Sequence, residues 1–272
     1  MASEEYKMKI HGKEITTIVS DLDGTLLGEE KTKLNPLVYD LILEFKKKGV
    51  SFVAASGRTY KNMKSLFAPV LDDISLICEN GSLIVKQEQT VYEKNIPEEL
   101  SYQLLDDMLC QPNTETIVSS KRDLYTLADR KEFIALMDGI LSPPPIGVAD
   151  YHDIHTEKNK ISIWWQTGIP ADREQWFHAK YDDVLQVMDG GNGWLDFTMQ
   201  GVNKGTALRA LASIENIDLT KTLCFGDSEN DVAMFRECAV SYAMKSGRDH
   251  VKAAADYICI NVIEKLQEFL NA

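Results

Sequence analysis

The N-terminal part of the chain alternates short apolar runs with stretches of helical periodicity. The runs ITTIVSD, VSFVAAS and SLICENG are rich in β-branched and apolar residues and predict strands. Between the first two, NPLVYDLILEFKKKG predicts a helix with Asn35 as its cap, Pro36 in its first turn and Gly49 at its end. Nearly continuous apolar strands separated by helices are typical of a parallel sheet covered on both faces.

The C-terminal part resumes this rhythm, whereas the middle of the chain does not. NKGTALRALASIENI and SENDVAMFREC predict helices, and KTLCFGD, AVSYAM and YICI predict strands. The middle holds a predicted hairpin around KQEQ, further strands, helices near 98 to 109, 131 to 138 and 171 to 180, and all four tryptophans. We therefore predict an α/β protein whose doubly wound parallel sheet is built from residues 1–85 and 195–272, with an inserted α+β domain at 86–194.

Polar residues follow four of the predicted strands at their carboxyl ends. They are Asp21 and Asp23 after the first strand, Ser56, Gly57 and Arg58 after the second, Glu79, Asn80 and Gly81 after the third, and Gly226, Asp227 and Ser228 after the fourth. A single aspartate pair after a strand also suits an ordinary turn. Ligands of open parallel sheets, however, bind beyond the carboxyl ends of the strands. Since chance turns would scatter polar residues over both ends, the pattern predicts a functional site at this edge.

Acidic residues dominate the predicted site. Asp21, Asp23, Asp227 and Asp231 would bring up to four carboxylates into one crevice, which costs free energy unless a cation lies between them. Hard oxygen ligands in a small site suit Mg²⁺, which also recruits phosphate oxygens from a substrate. Calcium storage is the weaker interpretation, because the spacing does not match an EF-hand loop. The sequence therefore predicts a Mg²⁺ site.

An anionic substrate also requires hydrogen-bond donors. The sequence offers Ser56 at a strand end, Lys204 at a helix start, and the backbone amides from Leu22 to Thr25, which we expect to be free where the chain turns. A lysine such as Lys204, taken singly, is more often a surface residue. Arg58 suits a structural ion pair with a neighbouring carboxylate as well as a role in the site.

Composition and charge exclude several classes of function. The chain has 272 residues, 44% of them hydrophobic and 26% charged, and a net charge of −13, which disfavours a nucleic-acid partner. There is no apolar stretch near 18 residues and no secretory signal pattern, so we expect no membrane partner and a cytoplasmic location. The five cysteines are widely spaced and odd in number, which predicts reduced residues. No obligate protein partner is evident.

Taken together, the motifs match a known pattern. SDLDGTLL, AASGR, ENGS, VNKGTAL and CFGDSENDVAMF, in this order, strongly resemble the haloacid dehalogenase superfamily, and in particular the Cof-like phosphatases of subclass IIB, which have a large inserted cap. The resemblance covers the whole chain, and DxDGT together with GDxxND is highly specific. One departure is AMKSG at 243 to 247, where the family often has AMxNA.

The resemblance implies a role for each matching residue. Asp21 would be the nucleophile that forms an aspartyl-phosphate, and Asp23 would protonate the leaving group and then activate water. Ser56, Lys204, Leu22 and Gly57 would bind phosphate. Asp21, the carbonyl of Asp23 and Asp227 would hold Mg²⁺, and Asp231 and Asn230 would lie close to the metal, either as ligands or as supporting residues. Arg58 and Thr25 would support the site.

The predicted function is that of a Mg²⁺-dependent phosphatase acting on a small phosphorylated metabolite, with sugar phosphates implied by the family. The inserted domain would select the leaving group. A phosphomutase or phosphotransferase of the same fold is the nearest alternative. A phosphoacceptor switch or a binding protein without activity is less well supported, because the acid at Asp23 and the large insertion both serve turnover.

Overall fold

The structure is a computed structural model that describes residues 8–28, 32–121, 123–138, 140–141 and 143–271. The chain divides into two compact units. The first holds the described residues of Met1–Arg58, Met63–Tyr92 and Asn203–Ala272, and the second holds Thr59–Asn62 and those of Glu93–Val202.

The strands and helices of the described residues are numbered in chain order. The strands are β1 Lys9–Ile10, β2 Lys13–Glu14, β3 Thr17–Ser20, β4 Ser51–Ala55, β5 Ile74–Cys78, β6 Leu83–Lys86, β7 Gln89–Glu93, β8 Glu115–Ser119, β9 Leu124–Leu127, β10 Ile146–Val148, β11 Lys160–Trp164, β12 Leu185–Gly191, β13 Trp194–Met199, β14 Thr222–Gly226, β15 Val240–Met244 and β16 Tyr257–Cys259. The helices are α1 Pro36–Lys47, α2 Tyr60–Leu66, α3 Glu98–Leu109, α4 Lys131–Asp138, α5 Ala171–Tyr181, α6 Lys204–Glu215, α7 Glu229–Phe235, α8 Asp249–Ala254 and α9 Val262–Asn271.

The main sheet of the first unit is doubly wound. Its strand order is β16, β15, β14, β3, β4, β5, β6, β7, and the strands from β16 to β5 are parallel. After β3 the chain first winds outward through β4 and β5, and later returns on the other side of β3 through β14. The predicted fold class is confirmed, and the winding reverses between β3 and β14, where such sheets bind ligands.

The unit boundaries differ from the predicted ones at both ends of the second unit. The hairpin around KQEQ is present as β6 and β7, with Gln87 and Glu88 at φ 46° and 62° in its turn. It extends the main sheet, because β6 pairs antiparallel with β5. At the other end, β13 pairs with β11 and β12 inside the second unit.

The second unit is built on a sheet with strand order β10, β9, β8, β11, β13, β12. Residues of α3 and α5 pack with Ile161 and Ile163 of β11 in its main core, which also includes Trp165. A smaller cluster joins α4 to Trp164 and Trp194. Trp164 follows Ile163 along β11, and successive side chains of a strand point to opposite faces of the sheet. Within the described parts of the chain, no helix combines the length and apolar character needed to span a membrane.

Candidate active site

The reversal point of the main sheet brings the first aspartate and the fourth strand together. Ser20 at the end of β3 pairs with Ala54 of β4 on one side and with Phe225 of β14 on the other. The next amide, that of Asp21, donates to the carbonyl of Phe225 at 3.0 Å. The chain segments that follow β3, β4 and β14 therefore emerge side by side, as the polar strand ends predicted.

Gly24 lets the loop after β3 approach the loop after β14. It adopts φ +80°, and a Cβ atom at this position would lie 2.2 Å from Oδ2 of Asp227. Any other residue would be strained and would displace that carboxylate. The glycine of DxDGT is thus explained by close contact with Asp227.

Lys204 lies at the centre of the buried acidic residues. Its Nζ donates to Oδ1 of Asp21 and to Oδ1 of Asp231, both at 2.6 Å, and its side chain has no exposed surface. It is the first residue of α6, whose start is fixed by a capping box between Asn203 and Thr206. The surface-lysine interpretation of Lys204 is wrong, because its side chain is fully buried in contact with Asp21 and Asp231.

Asp231 is engaged on both carboxylate oxygens. Oδ1 accepts from Lys204, and Oδ2 accepts from the amides of Asp227 at 2.9 Å and Ser228 at 3.0 Å. The structure therefore gives Asp231 a supporting position, in which it orients the lysine and the loop that carries Asp227. Of the two roles that the resemblance allowed it, the contacts favour support over direct metal ligation.

The donor set fits a divalent cation. Ligand atoms of Asp21, Asp227 and Asp231 lie within 4.8 Å of one another. Oδ2 of Asp21 and Oδ1 of Asp227 are buried and have no hydrogen-bond partner in the part of the chain that the structure describes. Three carboxylates against the single ammonium of Lys204 leave two uncompensated negative charges, and oxygen ligands of this kind suit Mg²⁺.

The electrostatics of these groups reflect the same excess of negative charge. Burial, opposed by Lys204 and reinforced by Asp231, raises the pKa of Asp21 to about 7. Burial and Asp231 raise the pKa of Asp227 to about 6. Burial alone would lower the pKa of Lys204, but Asp21 and Asp231 hold it above its ordinary value. A bound cation would favour the ionised carboxylates.

Asp23 is paired with Arg58 rather than with the buried acids. Nε and Nη2 of Arg58 donate to Oδ2 and Oδ1 of Asp23, each at 2.7 Å, which is a bidentate pair. The Asp23 side chain is 39% exposed, whereas Asp21 is buried. Arg58 thus forms an ion pair within the site, which unites the two interpretations that the sequence left open.

The predicted phosphate donors are only partly free. Oγ of the buried Ser56 accepts from the amide of Arg58 at 3.2 Å, so its own proton remains available to a ligand. The amide of Thr25 donates to the carbonyl of Leu22 at 3.2 Å, so the expectation that this amide is free is wrong. The Thr25 hydroxyl is buried and has no hydrogen-bond partner among the described residues. Phosphate binding by the amides of Leu22 and Gly57 stays a prediction.

Asn80 contacts a predicted site residue, although the sequence assigns Asn80 itself no role. Asn80 follows β5, and its Oδ1 accepts from Nδ2 of Asn230 at 2.9 Å. Asn230, predicted as a supporting residue, in turn accepts from Oγ of Ser228 at 2.7 Å. The available signal was the position of Asn80 in the polar end ENG of the third strand.

Comparison with solved structures identifies the class of fold. A haloacid dehalogenase-like hydrolase from Bacteroides thetaiotaomicron superposes with a TM-score of 0.83 at 21% identity, covering 93% of this chain and 99% of that one. A sugar phosphatase of haloacid dehalogenase subclass IIB superposes with a TM-score of 0.77 at 20% identity, covering 93% and 98%. The chain therefore has the haloacid dehalogenase fold with a cap domain.

Sequence comparison then gives the family. The model of haloacid dehalogenase-like hydrolases matches residues 18–264, so the chain belongs to this family. Two relatives are named 5-amino-6-(5-phospho-D-ribitylamino)uracil phosphatase. The one from Escherichia coli is 26% identical over 89% of this chain and 90% of its own length, and the one from Bacillus subtilis is 25% identical over 92% of each. The protein is an enzyme of the phosphatase type.

Proposed function

We propose that this enzyme hydrolyses a small phosphorylated metabolite in a Mg²⁺-dependent reaction that passes through an aspartyl-phosphate on Asp21. The observation that carries the proposal is the state of the Asp21 carboxylate. Lys204 holds Oδ1, whereas Oδ2 is buried and has no hydrogen-bond partner among the residues that the structure describes. A carboxylate fixed by one oxygen and unpartnered at the other suits attack on phosphorus.

In the first step, Asp21 forms a bond to phosphorus while the bond from phosphorus to the ester oxygen breaks. Asp23, on the same loop and held by Arg58, gives a proton to the departing oxygen. Ser56 and Lys204 stabilise the charge on the remaining phosphoryl oxygens. Asp21 is thereby converted to an acyl phosphate, and the alcohol is released.

In the second step, water attacks the phosphorus of the aspartyl-phosphate. Asp23 now takes the proton from the water, the bond between Asp21 and phosphorus breaks, and inorganic phosphate leaves. The carboxylate of Asp21 is restored, so atoms and charge balance over the cycle. This double role requires that Asp23 be reachable by solvent, which its partial exposure allows.

Asp21, the carbonyl of Asp23 and Asp227 would hold Mg²⁺, and Asp231 and Asn230 would support them. The unpartnered oxygens of Asp21 and Asp227 support this assignment. When bound, the metal supplies positive charge to the transferring phosphoryl group.

The proposed substrate class is a phosphate ester of a sugar or another polyhydroxylated carbon chain. The support comes from the names of similar proteins, since two relatives are named for a phosphorylated ribitylamino compound and one neighbour of known structure is called a sugar phosphatase. A cytoplasmic location stays a prediction from the sequence.

The test is release of inorganic phosphate from p-nitrophenyl phosphate with Mg²⁺ and with EDTA. We expect turnover only with the metal, and a phosphorylated protein when acid-quenched during turnover. Absence of phosphate release by the folded, Mg²⁺-loaded protein from both this ester and a panel of sugar phosphates would contradict the proposal. Ratios of kcat/KM across that panel would then identify the preferred leaving group.

A further inference from the structure

The turn after β5 has an unusual backbone conformation. Its residues Glu79, Asn80 and Gly81 have φ values of 49°, 55° and 108° in succession. Glu79 and Asn80 are also buried, with exposed fractions of 1% and 8%. Residues other than glycine keep such a conformation only where their surroundings fix them.

Asn80 joins two segments of the candidate active site. Its amide donates to the carbonyl of Ser56 at 3.0 Å, and its side-chain Oδ1 accepts from Nδ2 of Asn230 at 2.9 Å. Ser56 belongs to the loop after β4, and Asn230 lies in the first turn of α7. A single residue thus bridges the proposed phosphate donor and the helix that presents Asp231.

The turn is also packed tightly against its neighbours. A Cβ atom on Gly57 would lie 3.0 Å from Oδ1 of Asn80, so the amide group rests on the Gly57 backbone. A Cβ atom on Gly81 would lie 2.5 Å from the carbonyl oxygen of Asn203, the residue before Lys204. The turn therefore touches the segments that carry Ser56, Lys204 and Asp231, none of which is its sequence neighbour.

We propose that Asn80 is a positioning residue whose side-chain amide sets the spacing between the Ser56 loop and the start of α7. It touches neither the phosphoryl group nor the metal in this role, and it acts through Ser56 and Asn230. Phosphoryl transfer depends on such spacing, because misplacement by about 1 Å can cost 10²-fold in rate. This inference rests on the proposed phosphatase function.

The variant Asn80→Gly removes the side-chain amide of Asn80 without disturbing the backbone of the turn. Glycine adopts φ 55° without strain and keeps the amide that donates to Ser56, while the side-chain amide is lost. Asn216→Gly is the matched control, because Asn216 is exposed, has φ 55° and ends α6 away from the site. We expect both variants to unfold within a few degrees of the original protein.

The informative readout is the inhibition constant of inorganic phosphate against p-nitrophenyl phosphate, with kcat and KM measured at saturating Mg²⁺. An inhibition constant does not depend on the fraction of active protein, so a merely structural defect leaves it unchanged. For Asn80→Gly we expect it to rise about threefold or more and kcat/KM to fall about tenfold, because the binding groups are no longer preorganised. Asn216→Gly should keep both values.

A folded Asn80→Gly variant with the original inhibition constant would overturn the inference while leaving the proposed function intact. An original protein without Mg²⁺-dependent phosphate release would overturn both, and the two failures are thereby distinguished. Asn230→Ala breaks the same hydrogen bond from the other side and should also raise the inhibition constant. In the variant that combines Asn80→Gly and Asn230→Ala, the inhibition constant should be no higher than in the more impaired of the two single variants. Additive increases would contradict the proposed coupling.

Discussion

Each unit of the protein contains a buried cluster of charged side chains on its sheet, and the two clusters differ in composition. In the first unit, Lys204 lies between Asp21 and Asp231. In the second, Asp196 of β13 accepts from Oγ of Ser162 at 2.6 Å and lies 3.7 Å from Nζ of Lys160. Both clusters are largely shielded from solvent, so burial alone does not distinguish them.

The two clusters differ in their net charge and in whether their carboxylate oxygens have partners. The second cluster sets one acid against one base, and each oxygen of Asp196 faces a partner. The first has two more negative than positive charges when Asp227 is included. One oxygen of Asp21 and one of Asp227 have no hydrogen-bond partner within the described residues. A buried group that lacks a partner is costly, so the first arrangement is compatible with a bound cation and the second with a structural ion pair.

The largest expected effect follows from removal of the nucleophile. Asp21→Asn keeps the shape of the side chain but removes its charge and its capacity to form an acyl phosphate. We expect phosphate release to fall by at least about 10⁴-fold, as for other residues that form the covalent intermediate. The measurement is kcat with p-nitrophenyl phosphate and Mg²⁺.

The matched control for this variant is Asp249→Asn, which makes the same change at a fully exposed acid of the first unit. It should retain the original kcat. Residual turnover by Asp21→Asn above one hundredth of the original rate would assign the covalent step to another residue.

Asp23 shows whether a balanced ion pair can still take part in catalysis. It is paired one to one with Arg58, and yet we assign it to proton transfer. Asp23→Asn should lower kcat by about 10²–10⁴-fold for an alkyl phosphate, the usual contribution of general acid–base catalysis. With p-nitrophenyl phosphate the leaving group departs without a proton from Asp23, so the first step should still occur. The aspartyl-phosphate should then accumulate, because its hydrolysis requires Asp23 as the base. Equal and small losses with both esters would show that the pair is structural.

The edge of the sheet that carries the site could be predicted from the sequence, because parallel strands place the ends of successive apolar runs side by side. Asp21, Ser56 and Asp227 follow directly from that rule. The buried position of Lys204 could not be predicted from periodicity, because a helix start can face the core or the solvent. It is decided by contacts with Asp21 and Asp231, which are distant in sequence.

The sheet to which the hairpin of β6 and β7 belongs could not be predicted for a similar reason. The hairpin of β6 and β7 has the local pattern of any hairpin, and only its pairing with β5 assigns it to the first unit. The role of Asn80 was likewise invisible, because its hydrogen bond to Asn230 joins residues 150 positions apart. The local sequence pattern predicts the strands and helices, but which of them pair depends on residues that are distant in sequence.

A smaller effect concerns stability as a function of pH. Without metal, the pKa of Asp21 is raised to about 7 and that of Asp227 to about 6, from ordinary values near 3.8. Between about pH 4 and pH 7 the folded protein therefore binds more protons than the unfolded chain, so the free energy of unfolding falls as the pH rises. Mg²⁺ binds the deprotonated carboxylates and should reverse this loss.

We expect the EDTA-treated protein to lose several degrees in Tm between about pH 5 and about pH 7, and Mg²⁺ to raise Tm more at the higher pH. Asp227→Asn should show a shallower pH dependence and little stabilisation by Mg²⁺. A Mg²⁺ effect on Tm that is the same at both pH values would contradict the link between the raised pKa values and the metal site.

The smallest effect on function should come from the balanced cluster of the second unit. Asp196→Asn removes the negative charge between Ser162 and Lys160 while keeping an acceptor for the serine hydroxyl. We expect a loss of about 1–3 kcal/mol in the free energy of unfolding, because a buried charge-assisted contact is weakened and the lysine keeps its charge. The rise in Tm caused by Mg²⁺ should equal that of the original protein. If Asp196→Asn instead abolished the rise in Tm caused by Mg²⁺, the balanced cluster of the second unit would take part in metal binding. Charge balance would then not separate a ligand site from a structural ion pair.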